Sequence, residues 1–381
     1  MKSKKYSDFS WAVLLFCGIV LVNSCSKKRQ FWLVESEHGP LKIELVADNI
    51  TVPFGLAFLP DGKLLAGDRR NKELYAISVK SGEKKRIKGL PPIFVKGDGG
   101  LLDILPHPKF RENQILYISH SIGDTLRSTL AISRAILKND SITQINSIFT
   151  ALPYYKGAGH YGSRMVFKDD HLYFTIGDRY DLADSAQTLH NHLGKTLRIT
   201  ANGTIPSDNP FIAAKNSKAE IWSYGHRNPQ GLALHPKTGD LWLNEHGPKG
   251  GDEINIIYPG LNYGWPVICY GIDYDDSPIG QGITHKEGME QPAHYYTPSI
   301  APSGMEFYTG EKFPEWKNNL FIGALALQHL NRLVIENNKI VHEERLLEGF
   351  GKRVRAVKQG PEGYLYLGLD GGMIVRLVPA E

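Results

Sequence analysis

The chain has 381 residues, of which 41% are hydrophobic and 22% charged, which excludes collagen-like, coiled-coil and disordered classes. A formal net charge of +4, scattered along the chain, is too small for a nucleic-acid binder, and three Cys are too few for a disulfide framework. Thirty-nine Gly and 22 Pro, with 18 Tyr and 15 Phe, favour many short strands joined by tight turns.

The first 24 residues read as an address. Lys2, Lys4 and Lys5 precede an apolar run from Trp11 to Val22, then Asn23-Ser24-Cys25. A basic start, a short apolar stretch and a small residue before the cut form a secretory signal. The run is shorter than the roughly 20 residues that a transmembrane helix needs. Cys25 after Val22-Asn23-Ser24 resembles the lipobox of bacterial lipoproteins, so residues 25–381 are expected to be exported and anchored to a membrane through acylated Cys25. Ser26 after it favours the periplasmic side of the outer membrane or the cell surface. Residues 25–40 are expected to be a polar tether, and 41–381 a single domain. Cys269 is then a lone thiol.

One pattern recurs along that domain: an alternating run, a Pro or Asp-Gly turn, and a second alternating run. It occurs at Gly55–Ala66, at Leu101–Pro108 with Ile115–Ser119, at Arg164–Thr175 and at Gly231–Leu243. It returns at Gly304–Tyr308 with Asn319–Gly323, and at Val354–Leu367. Each copy is a β-hairpin signature. Six hairpins, each with room for two further strands, predict an all-β, six-bladed propeller of four-stranded antiparallel sheets.

In a propeller, residues entering the innermost strand of each blade lie at one mouth of the central channel. Those positions hold Asp98 in the second blade, His160 and Arg164 in the third, His226, Arg227 and Asn228 in the fourth, and Arg353 and Arg355 in the sixth. The result is a cationic, donor-rich pocket suited to a multiply anionic ligand held by guanidinium forks. A second cluster runs from Glu245 through Gly247-Pro248 to Asp252-Glu253, followed by Asn262-Tyr263. Gly-rich backbone beside carboxylates offers the hard oxygen ligands that Ca²⁺ prefers; a solvated acidic loop is the alternative.

Gly225-His-Arg-Asn-Pro-Gln-Gly-Leu-Ala233, Gly250-Gly-Asp-Glu-Ile-Asn255 and Asn262-Tyr-Gly-Trp-Pro266 resemble the glucose/sorbosone dehydrogenase family, soluble sugar dehydrogenases that use pyrroloquinoline quinone (PQQ). Gly99–Asp103, Gly177-Asp-Arg179, Pro298–Ser303 and Phe313–Ala324 extend the resemblance over about residues 45–378, nearest to the aldose sugar dehydrogenase branch. It implies a six-bladed propeller that oxidises the C1 hydroxyl of an aldose to a lactone, with hydride transfer to PQQ and onward transfer to an unidentified electron acceptor. By position it implies His160 as catalytic base, and Arg227, Asn228, Arg353 and Arg355 as PQQ contacts. It further implies the carbonyls of Gly247 and Pro248 around the PQQ-bound Ca²⁺, and Glu253 and Tyr263 at a further Ca²⁺ position.

Four positions depart from the family pattern. Asp98 stands where a PQQ-contacting Gln is usual, Ala326 where a Lys is usual, Ala356 where Arg-x-Arg is followed by Asp, and Thr297 in place of an aromatic residue. A carboxylate gained and an ammonium lost disfavour an anionic cofactor. A non-catalytic ligand-binding propeller and a Ca²⁺-dependent lactonase-type hydrolase are therefore kept as alternatives.

Overall fold

The first hairpin shows how the repeat folds. Alternating apolar residues form Pro53–Phe58 and Leu64–Asp68, and Asp61-Gly62 turns the chain between them, with Gly62 at φ +84°. Leu59 N–H closes that turn on the Lys63 carbonyl at 2.9 Å. The computed structural model describes residues 30–380, and five further hairpins of this kind follow the first.

Each hairpin supplies the inner two strands of one sheet. The first blade adds Glu73–Ile77 and Lys84–Ile87. The second is Leu101–Pro106, Ile115–Gly123, Ser128–Lys138 and Ser141–Thr150. The third is Met165–Lys168, His171–Ile176, Lys195–Thr200 and Ile221–Tyr224. The fourth is Pro229–Leu234, Leu241–Glu245, Asp252–Ile257 and His294–Tyr296. The fifth is Pro302–Phe307, Leu320–Ala324, Leu330–Glu336 and Lys339–Leu346. All strand pairs are antiparallel, as the hairpin repeat predicts.

The sixth blade closes the ring. Val354–Gln359, Leu365–Leu369 and Met373–Pro379 are joined by Leu41–Ala47 from the other end of the domain, in register from Leu41 opposite Pro379 to Leu45 opposite Val375. Phe31–Val34 then adds a fifth strand, pairing Phe31 with Glu44 and Val34 with Leu41. The expected tether is thereby corrected over its second half. Trp32 and Val34 alternate inward onto the core and anchor part of the stretch expected to be a polar tether. The signal segment and Cys25 lie outside the described residues.

Six apolar clusters fill the wedges between successive blades, so the core is distributed around the ring. Around the axis neighbouring inner strands approach closely. A Cβ on Gly55 would lie 2.8 Å from the Leu102 carbonyl, and one on Gly231 2.7 Å from the Ser303 carbonyl, which is why the repeat opens on glycine. Arg164 bridges the centre. Its guanidinium donates to the carbonyls of Gln230 (2.7 Å), Phe54 (2.9 Å) and Arg355 (3.2 Å), lies 3.5 Å from Asp103, and stacks over Phe54. The rim Arg expected at this position is instead a buried tie across the blades.

Candidate active site

In an antiparallel hairpin the residue entering the first strand and the residue leaving the second lie at the same end. The mouth is therefore built from both. The entering residues bring Thr51, Asp98, His160, Asn228, Arg353 and Arg355; the leaving residues bring Arg69, His246, Leu325 and Asp370. Together they line a cavity of about 450 Å³.

His160 lies at φ +47°, a left-handed turn that directs its ring into the cavity wall. Its Nδ1 is 2.7 Å from Asp178 Oδ1. Asp178 has no solvent exposure, and it also accepts from Trp265 Nε1 at 2.8 Å and from the Tyr180 N–H at 2.8 Å. With Nδ1–H donated to that carboxylate, Nε2 of the neutral ring keeps its lone pair, which is the tautomer that a general base requires. Tyr180 packs edge-on against the imidazole, with the ring centres 5.0 Å apart.

The guanidinium groups stand opposite. Arg355 donates to both oxygens of Asp370, from Nε at 3.1 Å and from Nη2 at 2.5 Å. Arg353 Nε reaches the same carboxylate at 3.4 Å, and half of its side chain is open to solvent. Arg69 is buried, and burial together with the charge of Arg355 pulls its pKa down to about 10. Its Nε has no hydrogen-bond partner. Asp98 lies 3.9 Å from Arg69 Nη1 and accepts from the His160 backbone N–H at 3.3 Å, so a guanidinium offsets part of its charge.

The histidine expected at the mouth of the fourth blade is not the one found there. His226 is fully buried and held between Glu245 (2.8 Å) and Ser223 (2.8 Å), outside the cavity. His246 lines the cavity instead, with Nε2 2.7 Å from the Pro302 carbonyl; burial and the Arg227 charge pull its pKa down to about 3, so it is neutral.

Arg227, expected with Asn228 at this mouth, does not line this cavity; it lines a second one of about 550 Å³ with Tyr180, Pro248, Trp265 and Tyr274. Its backbone N–H donates to Glu245 at 2.6 Å, its Nη1 to the Gly247 carbonyl at 2.7 Å, and its guanidinium lies over Trp265. Asn228 Oδ1 accepts from Gln230 at 3.0 Å.

The loop from His246 to Gly251 turns tightly: a Cβ on Gly247 would lie 2.3 Å from the Gly250 carbonyl. Glu253 sits directly opposite Glu245 across the strands, and Asn255 Nδ2 donates to both, at 3.0 and 3.1 Å. Burial and the facing Glu245 push the Glu253 carboxyl well above its usual range. The Tyr263 hydroxyl points inward, donating to the Ile256 carbonyl at 2.6 Å, while its ring stacks on His226. Among the described residues no group of three or more His, Cys, Asp or Glu side chains converges as a metal site, so backbone carbonyls would have to supply much of any coordination.

The remaining departures lie around the cavity and not in its wall. Ala326 is exposed just beyond Leu325. Ala356 is buried in the inner strand of the sixth blade. Thr297 holds the glycine loop, accepting from the Gly251 N–H and donating to the Tyr270 carbonyl, both at 3.2 Å.

The protein is thus a six-bladed propeller with a histidine–aspartate pair and a cluster of arginines in one cavity at its mouth. The family model "Glucose / Sorbosone dehydrogenase" matches residues 50–376, and the chain belongs to this family. The chain is 38% identical over 346 residues to the aldose sugar dehydrogenase YliI of Escherichia coli, covering 89% of this chain and 93% of that protein. Among solved structures it is similar to the soluble aldose sugar dehydrogenase of Escherichia coli in its apo-form, with a TM-score of 0.85 and 38% identity, covering 89% of this chain and all of that one. It is also similar to the PQQ-bound aldose sugar dehydrogenase of Streptomyces coelicolor, with a TM-score of 0.74 and 26% identity, covering 92% and 98%.

Proposed function

We propose that the protein oxidises the C1 hydroxyl of aldose sugars to lactones, with PQQ and Ca²⁺ as cofactors. The observation that carries this reading is the 2.7 Å bond from His160 to buried Asp178, facing Arg69, Arg353 and Arg355 across one cavity.

The residues present suit PQQ. Its carboxylates match the guanidinium groups, and the buried, unpartnered Arg69 Nε is a donor that an anion would satisfy. Arg353 and Arg355 would hold it from the sixth blade, and Arg227 and Asn228 from the fourth. When bound, PQQ supplies the quinone that accepts hydride. His160 Nε2 takes the proton of the sugar C1 hydroxyl, and Asp178 stabilises the imidazolium that results. Tyr180 and Trp265 keep that pair dry and fixed in orientation.

A cation also suits the fourth blade. Glu253 faces buried Glu245 across the strands, which disfavours its charged form, and Ca²⁺ beside Glu253 would stabilise that form. The carbonyls of Gly247 and Pro248 would serve the cofactor-bound ion. The carboxylates in the cavity wall, Asp98 and Asp370, each lie against an arginine.

We place the mature chain, residues 25–381, outside the cytoplasm and tethered through acylated Cys25. A Cys25→Ser variant is expected to be released in soluble form or left unprocessed; unchanged membrane association would refute the anchor. The cofactor reading is tested by isothermal titration of PQQ into the apoprotein with Ca²⁺. Saturable binding that is lost in Arg355→Ala supports it, and absence of binding refutes it.

A further inference from the structure

We propose that the outer edge of the sixth blade, through Phe31 and Leu33, seats the propeller on the lipid bilayer with the cavity mouth toward the membrane. The proposal rests on the anchor at Cys25. Phe31 and Leu33 are 52% and 62% exposed on the outermost strand, while the alternate residues Trp32 and Val34 pack on the core. A solvent-facing edge strand ordinarily carries charge or proline as protection against association. This one carries two large apolar side chains.

The chain preceding that strand identifies the occupant. Lys27-Lys28-Arg29 follows Ser26, giving a basic run that anionic headgroups attract. Only five Cα steps separate Cys25 from Gln30, whose carbonyl accepts from Leu45 N–H at 2.9 Å and so begins the folded edge. Fully extended, that leash spans at most about 18 Å. A protein on so short a leash stays in contact range of the bilayer, and the exposed apolar pair lies where the leash ends. Acyl chain, basic run and apolar side chains then act together, as stable membrane attachment requires more than one signal.

Strand direction sets the orientation. Phe31 pairs with Glu44 midway along Leu41–Ala47 and the Gln30 carbonyl bonds Leu45 beyond it, so the chain before Phe31 lies toward Ala47, the end from which the chain continues to Thr51 and Val52 in the cavity wall. The leash therefore enters the blade at the mouth side of the propeller, not at the opposite face.

The test uses the acylated, full-length mature protein carrying Leu33→Cys, labelled with an environment-sensitive fluorophore and reconstituted in phosphatidylethanolamine/phosphatidylglycerol vesicles. Phe31→Cys serves as a second position, and Ile212→Cys, 45% exposed on the third blade across the ring, as the reference. The labels at 31 and 33 are expected to be quenched several-fold more strongly by a lipid-borne nitroxide than the label at 212. Equal quenching at all three positions in protein whose Cys25 acylation is confirmed by mass would overturn the seat and leave the anchor standing. An unmodified Cys25 by mass would overturn the anchor and the seat with it.

Discussion

Asp178 is the buried partner that sets the tautomer of His160. The carboxylate is already saturated by Trp265 and Tyr180, so it has no freedom to turn away from the imidazole. Asp178→Asn preserves size but can donate to Nδ1, which places the ring proton on Nε2 and removes the base. Turnover is expected to fall about 10²–10⁴-fold, with PQQ affinity and thermal midpoint close to wild type. Steady-state dye reduction beside a PQQ titration checks this; a loss of binding equal to the loss of turnover would show that Asp178 serves the fold and not the base.

Asp98 and Ala326 make the mouth less cationic than the family pattern. Asp98→Gln with Ala326→Lys should tighten PQQ binding, and hydrogen bonds to charged groups, worth about 1.5–3 kcal/mol, set the gain at one or two decades. The gain should be larger at low ionic strength. Because Arg69 lies 3.9 Å from Asp98, the single Asp98→Gln change is expected to contribute the smaller part. Tighter binding by wild type would mean that the two substitutions are adaptations of a differently built pocket.

The facing Glu245 and Glu253 predict how metal acts on stability. Chelation should lower the thermal midpoint of the wild type, and Ca²⁺ should restore it. Glu253→Gln replaces the carboxyl that burial and the facing Glu245 disfavour in its charged form, so the chelated variant should melt above chelated wild type and respond less to Ca²⁺. Differential scanning calorimetry with and without chelator measures both shifts, and an unchanged response in the variant would remove Glu253 from the metal site.

Buried neutral histidines predict sensitivity to acid. His120 is buried with Nε2 against Ser133 at 2.9 Å, and burial pulls its pKa from 6.5 down to about 4. Below its unfolded value the unfolded chain binds the proton and the native one does not. Stability is therefore full above about pH 6.5 and is lost as pH falls toward about 4, by about 3 kcal/mol for this group. His246 acts in the same direction. Urea midpoints across that range should fall steeply for wild type and less steeply for His120→Asn; parallel curves would contradict the assignment.

The ring was legible because each inner hairpin announces itself twice, by alternation and by its turn, as at Gly55–Ala66 with Asp61-Gly62. The closing strands were less legible. Leu41–Ala47 pairs with Met373–Pro379 from the other end of the chain, and nothing local marks a partner so distant. Phe31–Val34 is four residues long, too short for its alternation to stand out beside Lys27-Lys28-Arg29. At the mouth, reading only residues that enter each inner strand found His160, Asn228, Arg353 and Arg355. It missed Arg69, His246 and Asp370, which leave the second strands, and it left Asp178 without a role. Hairpin geometry would have found them, since Asp68-Arg69, Glu245-His246 and Leu369-Asp370 end corresponding strands. Arg164 misled for the opposite reason: one side chain at a rim position reached three backbone carbonyls across the axis, a long-range arrangement that no local pattern encodes.

The most direct test of the account is dye reduction by the mature protein reconstituted with PQQ and Ca²⁺ over a panel of aldoses, with His160→Ala in parallel. The account predicts aldose-dependent reduction by wild type, and a loss of about 10²–10⁴-fold in the variant with PQQ affinity retained, because arginines and not His160 hold the cofactor. Reduction at a near-normal rate by His160→Ala, or none by a wild type that binds PQQ, would contradict it.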